Sequence, residues 1–485
     1  MIQRNFLLPS LAAAALFCGA CLKLPPYQKP TAAVSPAFKE EPPAGWKQAQ
    51  PSDGILRGKW WEVFNDPALN ALEEQVNVSN QNLLSAEANY RVAKAAVRVA
   101  RSALSPTVTT SPSVTGSEAS NRVGNSRAGA TGPIGTYNLP VDATYTADIW
   151  GRLHRAVAAN ADLAQAANAQ LENARLLYQT ELASDYFQLH GLDGDAKLLD
   201  ETVNSYKEYL TLTKNRFEGG IASDSDVAQA ETQLYTTQVE LTDLGVARAQ
   251  LEHAIAILIG KAPAELTIPS MILTSAPPPI PVGVPSALLE RRPDIAENEC
   301  QVAAANEQIG IAKAAFYPTL TLAASVGLQS TSFLNWLTFP SRFWSIGPQL
   351  VQTLFDAGKR RGQLASVEAQ YDATAANYRQ TVLTAFQQVE DNLSALRILE
   401  SEAGTLDQAV KSAQRSLLVS TEQYKGGTVN YLQVITTQTI AVQNERAAVD
   451  LLTRRMTATV QLIQALGGGW DASKLPTTQD VSGQH

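Results

Sequence analysis

Hydrophobic and polar positions follow two periods along this chain, and the switch between them happens in the same order twice. Tyr137, Leu139, Val141, Ala143, Tyr145, Ala147 and Ile149 alternate with Asn138, Asp142, Thr144, Thr146 and Asp148. Leu320, Leu322, Ala324, Val326 and Leu328 alternate in the same way with Thr319, Thr321, Ser325 and Gly327. A period of two predicts strands, and the split into apolar and polar residues predicts a sheet with two unlike faces. Each unit starts helical, turns to a strand after Pro106 or Pro318, returns as a second strand, and then stays helical for over a hundred residues.

The helical stretches are long because nothing in them breaks a helix. Pro140 is followed by no proline until Pro263, and Pro348 by none until Pro476. Arg152 to Glu218 and Lys359 to Lys425 each predict a helix, ended by Gly219-Gly220 and Gly426-Gly427 as stop or turn. At 1.5 Å per residue either helix would reach roughly 100 Å, with Gly191, Gly194 and Gly404 as places where it could bend. After the first Gly-Gly pair, Val227, Ala230, Leu234, Leu241, Leu244, Leu251, Ile255 and Leu258 recur at coiled-coil spacings. The units therefore read as helical hairpins with tips far from the strands.

The two units are copies of one another. Val97–Thr109 aligns with Ile309–Thr321 at a displacement of 212, and Arg216-Phe-Glu-Gly-Gly aligns with Gln423-Tyr-Lys-Gly-Gly at 207. The predicted organisation is a signal peptide (1–20), a Pro-rich N-terminal arm (21–65), a first repeat (66–261), a Pro-rich linker (262–285), a second repeat (286–468) and a C-terminal tail (469–485).

Four amphipathic strands cannot close a membrane barrel, for which about eight is the minimum, and open edges in lipid leave backbone groups unpaired. Several chains must then share one barrel, and three copies supply twelve strands. The expected fold is mainly α with a membrane β-barrel. Long helical hairpins form an α-barrel, and four strands per chain contribute to a 12-stranded trimeric β-barrel. A soluble hairpin packed on the helices is the plainer reading of the same alternation.

The N-terminus adds a location. Arg4, an apolar run from Phe6 to Phe17 and Gly19-Ala20 precede Cys21, a signal-peptide layout that resembles a bacterial lipobox, although Cys18 stands where leucine is usual. Acyl chains on Cys21 would be the only non-protein group expected, with no cofactor; they would anchor the chain in membrane lipid. With Cys21 lipidated, Cys300 is a lone thiol, so stability must come from packing. A net charge of −8 disfavours nucleic-acid binding. His154, His190, His253 and His485 are scattered singly without metal-ligand spacing, and nucleophile-elbow, P-loop and dinucleotide motifs are missing, so neither metal binding nor catalysis is expected.

Lys23-Leu-Pro-Pro-Tyr-Gln-Lys-Pro, Trp60-Trp-Glu-Val-Phe-Asn-Asp-Pro-Ala-Leu, Leu288-Leu-Glu-Arg-Arg-Pro-Asp-Ile, Ala314-Ala-Phe-Tyr-Pro-Thr-Leu and Ala465-Leu-Gly-Gly-Gly-Trp resemble, in order, the signatures of the TolC-like outer-membrane factors, closest to the OprM-type lipoproteins. The resemblance implies a homotrimer in the outer membrane of a Gram-negative bacterium, its helical part in the periplasm. It implies docking to a periplasmic adaptor and an inner-membrane RND transporter, for drug efflux and antibiotic resistance. It also implies a gate at the helix tips: Asp226 resembles the gate aspartate, Tyr424 its partner tyrosine and Leu432 the narrowing apolar ring, with Asp224 as a further acid. Val429 replaces an arginine latch of some members, and Gln433 and Thr436 stand where others carry carboxylate rings. Asp224 and Asp226 equally suit helix N-capping. A type I protein-secretion duct and a structural coiled-coil envelope tether remain the alternatives.

Overall fold

Helix starts in this chain are set by side chains that accept orphan N–H groups. In the computed structural model, which describes residues 27–32, 34–43, 58–118, 133–283 and 285–482, Asp66 caps α1 (Pro67–Ser79) and Asn80 caps α2 (Gln81–Ser102). The signal segment and Cys21 lie outside the described residues.

The strands form one antiparallel sheet: β1 (Thr107–Thr110) and β2 (Ser113–Ser117) both pair with β3 (Ile134–Ala147), which pairs with β4 (Thr319–Ser330), and that with β5 (Arg342–Val351). The first of the four expected strands is split. Thr107 faces Thr144 and Ser113 faces Asn138 in one continuous register, and the break falls at Ser111-Pro112, where proline has no N–H for the ladder. The register carries the alternation across the sheet. Val141, Val326 and Trp344 share one face; Asp142, Ser325 and Ser345 share the other. Asp148 and Ile149 fall beyond β3, a departure from the sequence pattern. Asp148 instead accepts the N–H groups of Leu153 and His154, capping the next helix across Gly151, whose φ of 73° suits glycine.

That helix, α3 (Arg152–Glu218), runs 67 residues and returns as α4 (Asp224–Leu258). The second copy repeats it: α5 (Pro293–Ala314), α6 (Lys359–Lys425) and α7 (Tyr431–Ala465). The copies match at both ends of each helix, α5 lying 212 positions after α2, and α6 and α7 lying 207 after α3 and α4. Near the sheet the helices stand in the order α2, α3, α5, α6; towards the tips the order is α4, α3, α7, α6. Four helical strands thus stand abreast at either level. On α4, Ala230, Leu234, Ile255 and Leu258 are buried, and Val227, Leu241, Leu244 and Leu251 are half-buried, in keeping with the seam.

Gly191 and Gly194 do not break α3. A Cβ on Gly191 would lie 2.3 Å from the Thr453 hydroxyl and one on Gly194 3.1 Å from a Val449 methyl, so the glycines let α7 approach α3 rather than bend it. Between the two levels the largest core gathers Trp60, Phe187, Ile255, Ile280, Val389 and Leu462 from both repeats and the linker. Asp193 staples the linker there. Burial alone would raise its carboxyl, but the Arg248 guanidinium (2.7 Å), the Met271 N–H and His190 (2.9 Å) outweigh it and hold it below the usual carboxylate range.

On the sheet side, Asp162 of α3 faces α5. Burial, then the neighbouring Glu307, push its pKa up to about 7. Its folded value lies above its unfolded value, so its contribution falls as pH rises from about 4 to 7. Asp162→Asn is expected to raise the melting temperature at pH 8 and leave it nearly unchanged at pH 4. Equal shifts at both pH values would refute this assignment.

Candidate functional site

The sheet and the helix tips are the two places where the sequence pattern points to function, and they lie at opposite ends of the long helices. In a single chain the apolar face of the sheet is bare: Val326 is 57% exposed, Trp344 74% and Ile346 76%. An exposed apolar sheet face of this extent is costly in water and natural in lipid. Aromatic rings flank it at both ends. Trp150 stacks on Tyr317 with centroids 4.7 Å apart below, and Tyr137 meets Phe333 and Trp336 at 5.6 Å each above. Such rings favour membrane–water interfaces. Among the described residues the sheet ends in two edges, β1/β2 and β5, each with a neighbour on one side only.

At the tips, Gly220 (φ 72°) and Gly427 (φ 77°) turn the chain, and Ser223 and Asn430 start the return helices. Asp226 closes a capping box: its carboxylate accepts from the Ser223 N–H and hydroxyl, both at 2.9 Å, while its own N–H donates to the Ser223 oxygen. Asp224 is exposed in the same first turn. Tyr424 is buried, its hydroxyl 3.3 Å from that of Thr213. The structure therefore puts Asp226 and Tyr424 in neighbouring tips of one chain without bringing them into contact. Leu432 is 53% exposed, and Val429 is half-buried against the cluster that holds Tyr424 and Tyr431.

The model of the outer membrane efflux protein family matches residues 72–261 and 284–468. The chain belongs to this family. TtgC of Pseudomonas putida, a probable efflux pump outer membrane protein, is 30% identical over 465 residues, 95% of either chain. The solved outer-membrane channel OprN is 27% identical, covers 93% of this chain and 100% of its own, and superposes with a TM-score of 0.85. VceC of Vibrio cholerae is 29% identical, covers 85% and 99%, and has a TM-score of 0.79. This efflux protein is accordingly an outer-membrane channel component with the TolC-like architecture.

Its tips hold residues that sequence reasoning passed over. Arg216 donates to the Lys425 carbonyl at 3.0 Å and lays its guanidinium over the Tyr424 ring at 4.3 Å, tying the end of α3 to the end of α6. Tyr209 meets Thr421 at 3.1 Å across the same gap, and Tyr431 packs beside Tyr424 at 5.5 Å. Arg216 stands in the motif that revealed the repeat, but its second-copy counterpart is Gln423, so the repeat alone does not mark it as a bridge. Among the described residues no helix is long and apolar enough to cross a membrane, and no cluster of histidine, cysteine or carboxylate side chains could hold a metal.

Proposed function

We propose that three copies of this chain form a passive outer-membrane duct of a tripartite efflux system. An RND transporter supplies the energy, a periplasmic adaptor joins the two, and drugs or other small molecules leave through the lumen. The observation that carries the reading is the sheet with one apolar face, one polar face and two unpaired edges. Three such sheets joined edge to edge give twelve strands with lipid outside and water inside. This chain performs no chemistry. Deleting the gene and restoring it on a plasmid tests the role. The expected result is drug hypersusceptibility that the plasmid reverses, and loss of a secreted protein with unchanged susceptibility would favour the secretion alternative.

Lipid on Cys21 fits the path of the arm. The Thr31 carbonyl receives Arg379 and the Glu40 carboxylate receives Arg397, so going back towards the N-terminus the arm climbs α6 towards the sheet. From Arg379 to Lys359 the helix rises about 30 Å, and the ten residues from Thr31 back to Cys21 can span at most about 35 Å. An acylated Cys21 can thus reach the level where the sheet begins.

The tips act as the gate, with Asp224, Asp226, Tyr424 and Leu432 as its polar and apolar parts. Within each subunit Arg216 holds it closed. A cation–π contact and a hydrogen bond together are worth about 2 kcal/mol, roughly a thirtyfold shift in a closed-to-open ratio. Arg216→Ala is expected to sensitise cells to a large antibiotic such as vancomycin without lowering the amount of protein in the outer membrane. Unchanged susceptibility at normal protein levels would remove Arg216 from the gate.

A further inference from the structure

The loop that joins β4 to β5 carries its apolar side chains on the outside. Resting on the duct reading above, we infer that this loop and Arg342 form a binding site for a phosphorylated glycolipid of the outer leaflet, with Arg342 taking a lipid phosphate and Leu334, Leu337 and Phe339 entering the acyl layer.

The loop is built rather than slack. The Asn335 carbonyl accepts from the Thr338 hydroxyl at 2.6 Å and from the Ser341 hydroxyl at 2.7 Å, so these polar groups are used internally. Leu334, Leu337 and Phe339 are left 87%, 69% and 73% exposed. That order is inverted for a segment in water, where polar groups face out and a cluster of bare apolar side chains is costly. Joining two strands does not require it: residues 118–133, between β2 and β3, hold no aromatic residue, and Val123 is their one large aliphatic side chain.

The loop also lies on the lipid side of the sheet. Tyr137 shares the apolar face with Val141 and Val326, and its ring meets those of Phe333 and Trp336. Trp336 in turn donates its indole N–H to the carbonyl of Leu328, 3.3 Å away. A loop turned across the pore would meet Asn138 and Gln329 on the polar face instead.

Arg342 sets the chemistry. It opens β5 opposite Leu328, at the end of the sheet away from the long helices, and heads the apolar column of Trp344, Ile346 and Leu350. In the sequence it is the one charged residue between Lys313 and Asp356, and among the described residues no carboxylate pairs with it. Its guanidinium lies over the Phe339 ring at 4.1 Å, which fixes the cation beside the apolar tips. A cation on a lipid-facing column is costly in the acyl layer and favourable where an anionic headgroup meets it. The guanidinium fork matches the oxygens of a phosphate. A soluble anion would leave Leu334 and Leu337 bare, whereas a lipid covers both parts of the site. Phospholipid shares the phosphate chemistry, but in an outer membrane it fills the inner leaflet, at the opposite end of the strands.

The test uses the full-length trimer purified in detergent and lipid A as the probe, with bound lipid A measured through gel filtration. Arg342→Gln is expected to weaken binding about tenfold, the loss of one charge-assisted phosphate contact, and Arg342→Lys to restore part of it. Lipid A stripped of its phosphates should bind the parent and Arg342→Gln alike, and phosphatidylglycerol should not displace intact lipid A. Equal affinity of the parent and Arg342→Gln would overturn the phosphate site, and displacement by an equal amount of phosphatidylglycerol would overturn the glycolipid. A second measurement reads the tips: Leu334→Cys, carrying a polarity-sensitive maleimide in vesicles that contain lipid A, should be shielded from iodide, and Ser345→Cys on the polar face should be quenched. Cys300 is buried, and the parent protein corrects for it. Equal quenching at both positions would take the loop out of the membrane. Both variants are checked first for the heat-modifiable oligomer; its absence from the parent itself would sink the shared barrel, a failure distinct from loss of the lipid site alone.

Discussion

An arginine at Val326 is expected to eliminate the assembled protein from the outer membrane, while an arginine one residue earlier, at Ser325, is expected to leave it. Val326 is in the middle of β4 on the apolar face, between Val141 of β3 and Trp344 of β5. If that face meets lipid, a guanidinium near the bilayer midplane costs about 2–4 kcal/mol per subunit, and three subunits triple the cost. The total rivals the whole stability of an ordinary domain, about 5–15 kcal/mol. Ser325 belongs to the polar face, where a charge facing water costs little. The measurement is the yield of heat-modifiable oligomer in outer-membrane fractions of the two variants. Equal yields would mean that the faces do not see different solvents.

Gly467→Ala should be nearly as damaging, for a reason confined to the folded chain. Gly467 has φ 92°, and a Cβ there would lie 2.1 Å from the carbonyl oxygen of Arg291. The backbone conformation alone costs about 1–3 kcal/mol for alanine, and the clash is with main chain, which cannot swing away. The equivalent glycine of the first repeat, Gly260, meets the Ser79 carbonyl at the same 2.1 Å, and Ser79 and Arg291 are themselves 212 apart. Each repeat therefore ends by pressing a left-handed glycine on the chain just before its own first long helix. Gly404→Ala is the contrast: Gly404 sits inside α6 with open space around it, and alanine there should stabilise by about 0.5–1 kcal/mol. Thermal unfolding of the purified variants should lower the transition for Gly260→Ala and Gly467→Ala by many degrees and raise it slightly for Gly404→Ala. A transition for Gly467→Ala within a degree or two of the parent would mean that the contact with Arg291 is not part of the folded protein.

Much of this architecture is legible in the sequence because its signals are local. The period-two stretch from Leu320 to Leu328 needs no partner to be recognised, and neither does a 67-residue span that avoids proline and stops at Gly-Gly. The internal repeat adds the one long-range fact that a single chain can display. What escaped are contacts that depend on which helices become neighbours. Gly191 and Gly194 look like weak points in a helix until α7 is known to cross them at Thr453 and Val449. Arg216 is one basic residue among many until α6 brings Tyr424 and the Lys425 carbonyl to it. The break between β1 and β2 is an intermediate case: Pro112 is plain in the sequence, but that the register continues across it follows only from β3. At the tips, Asp226 illustrates two readings that coexist. Its carboxylate is occupied by Ser223 as a helix cap, which fixes it at the turn where a gate acid would be needed.

The account stands on one claim, that the sheet separates lipid from water. Single cysteines placed at positions 320 to 329 of β4, leaving out Gly327, where a side chain would meet the Leu139 carbonyl, test it most directly when probed in intact outer membranes. The prediction is a strict alternation: Leu320, Leu322, Ala324, Val326 and Leu328 positions react with a membrane-confined maleimide, and Thr321, Ala323, Ser325 and Gln329 positions with a small water-soluble one. Uniform protection of all nine from both reagents would show a sheet buried against protein, and would contradict the duct.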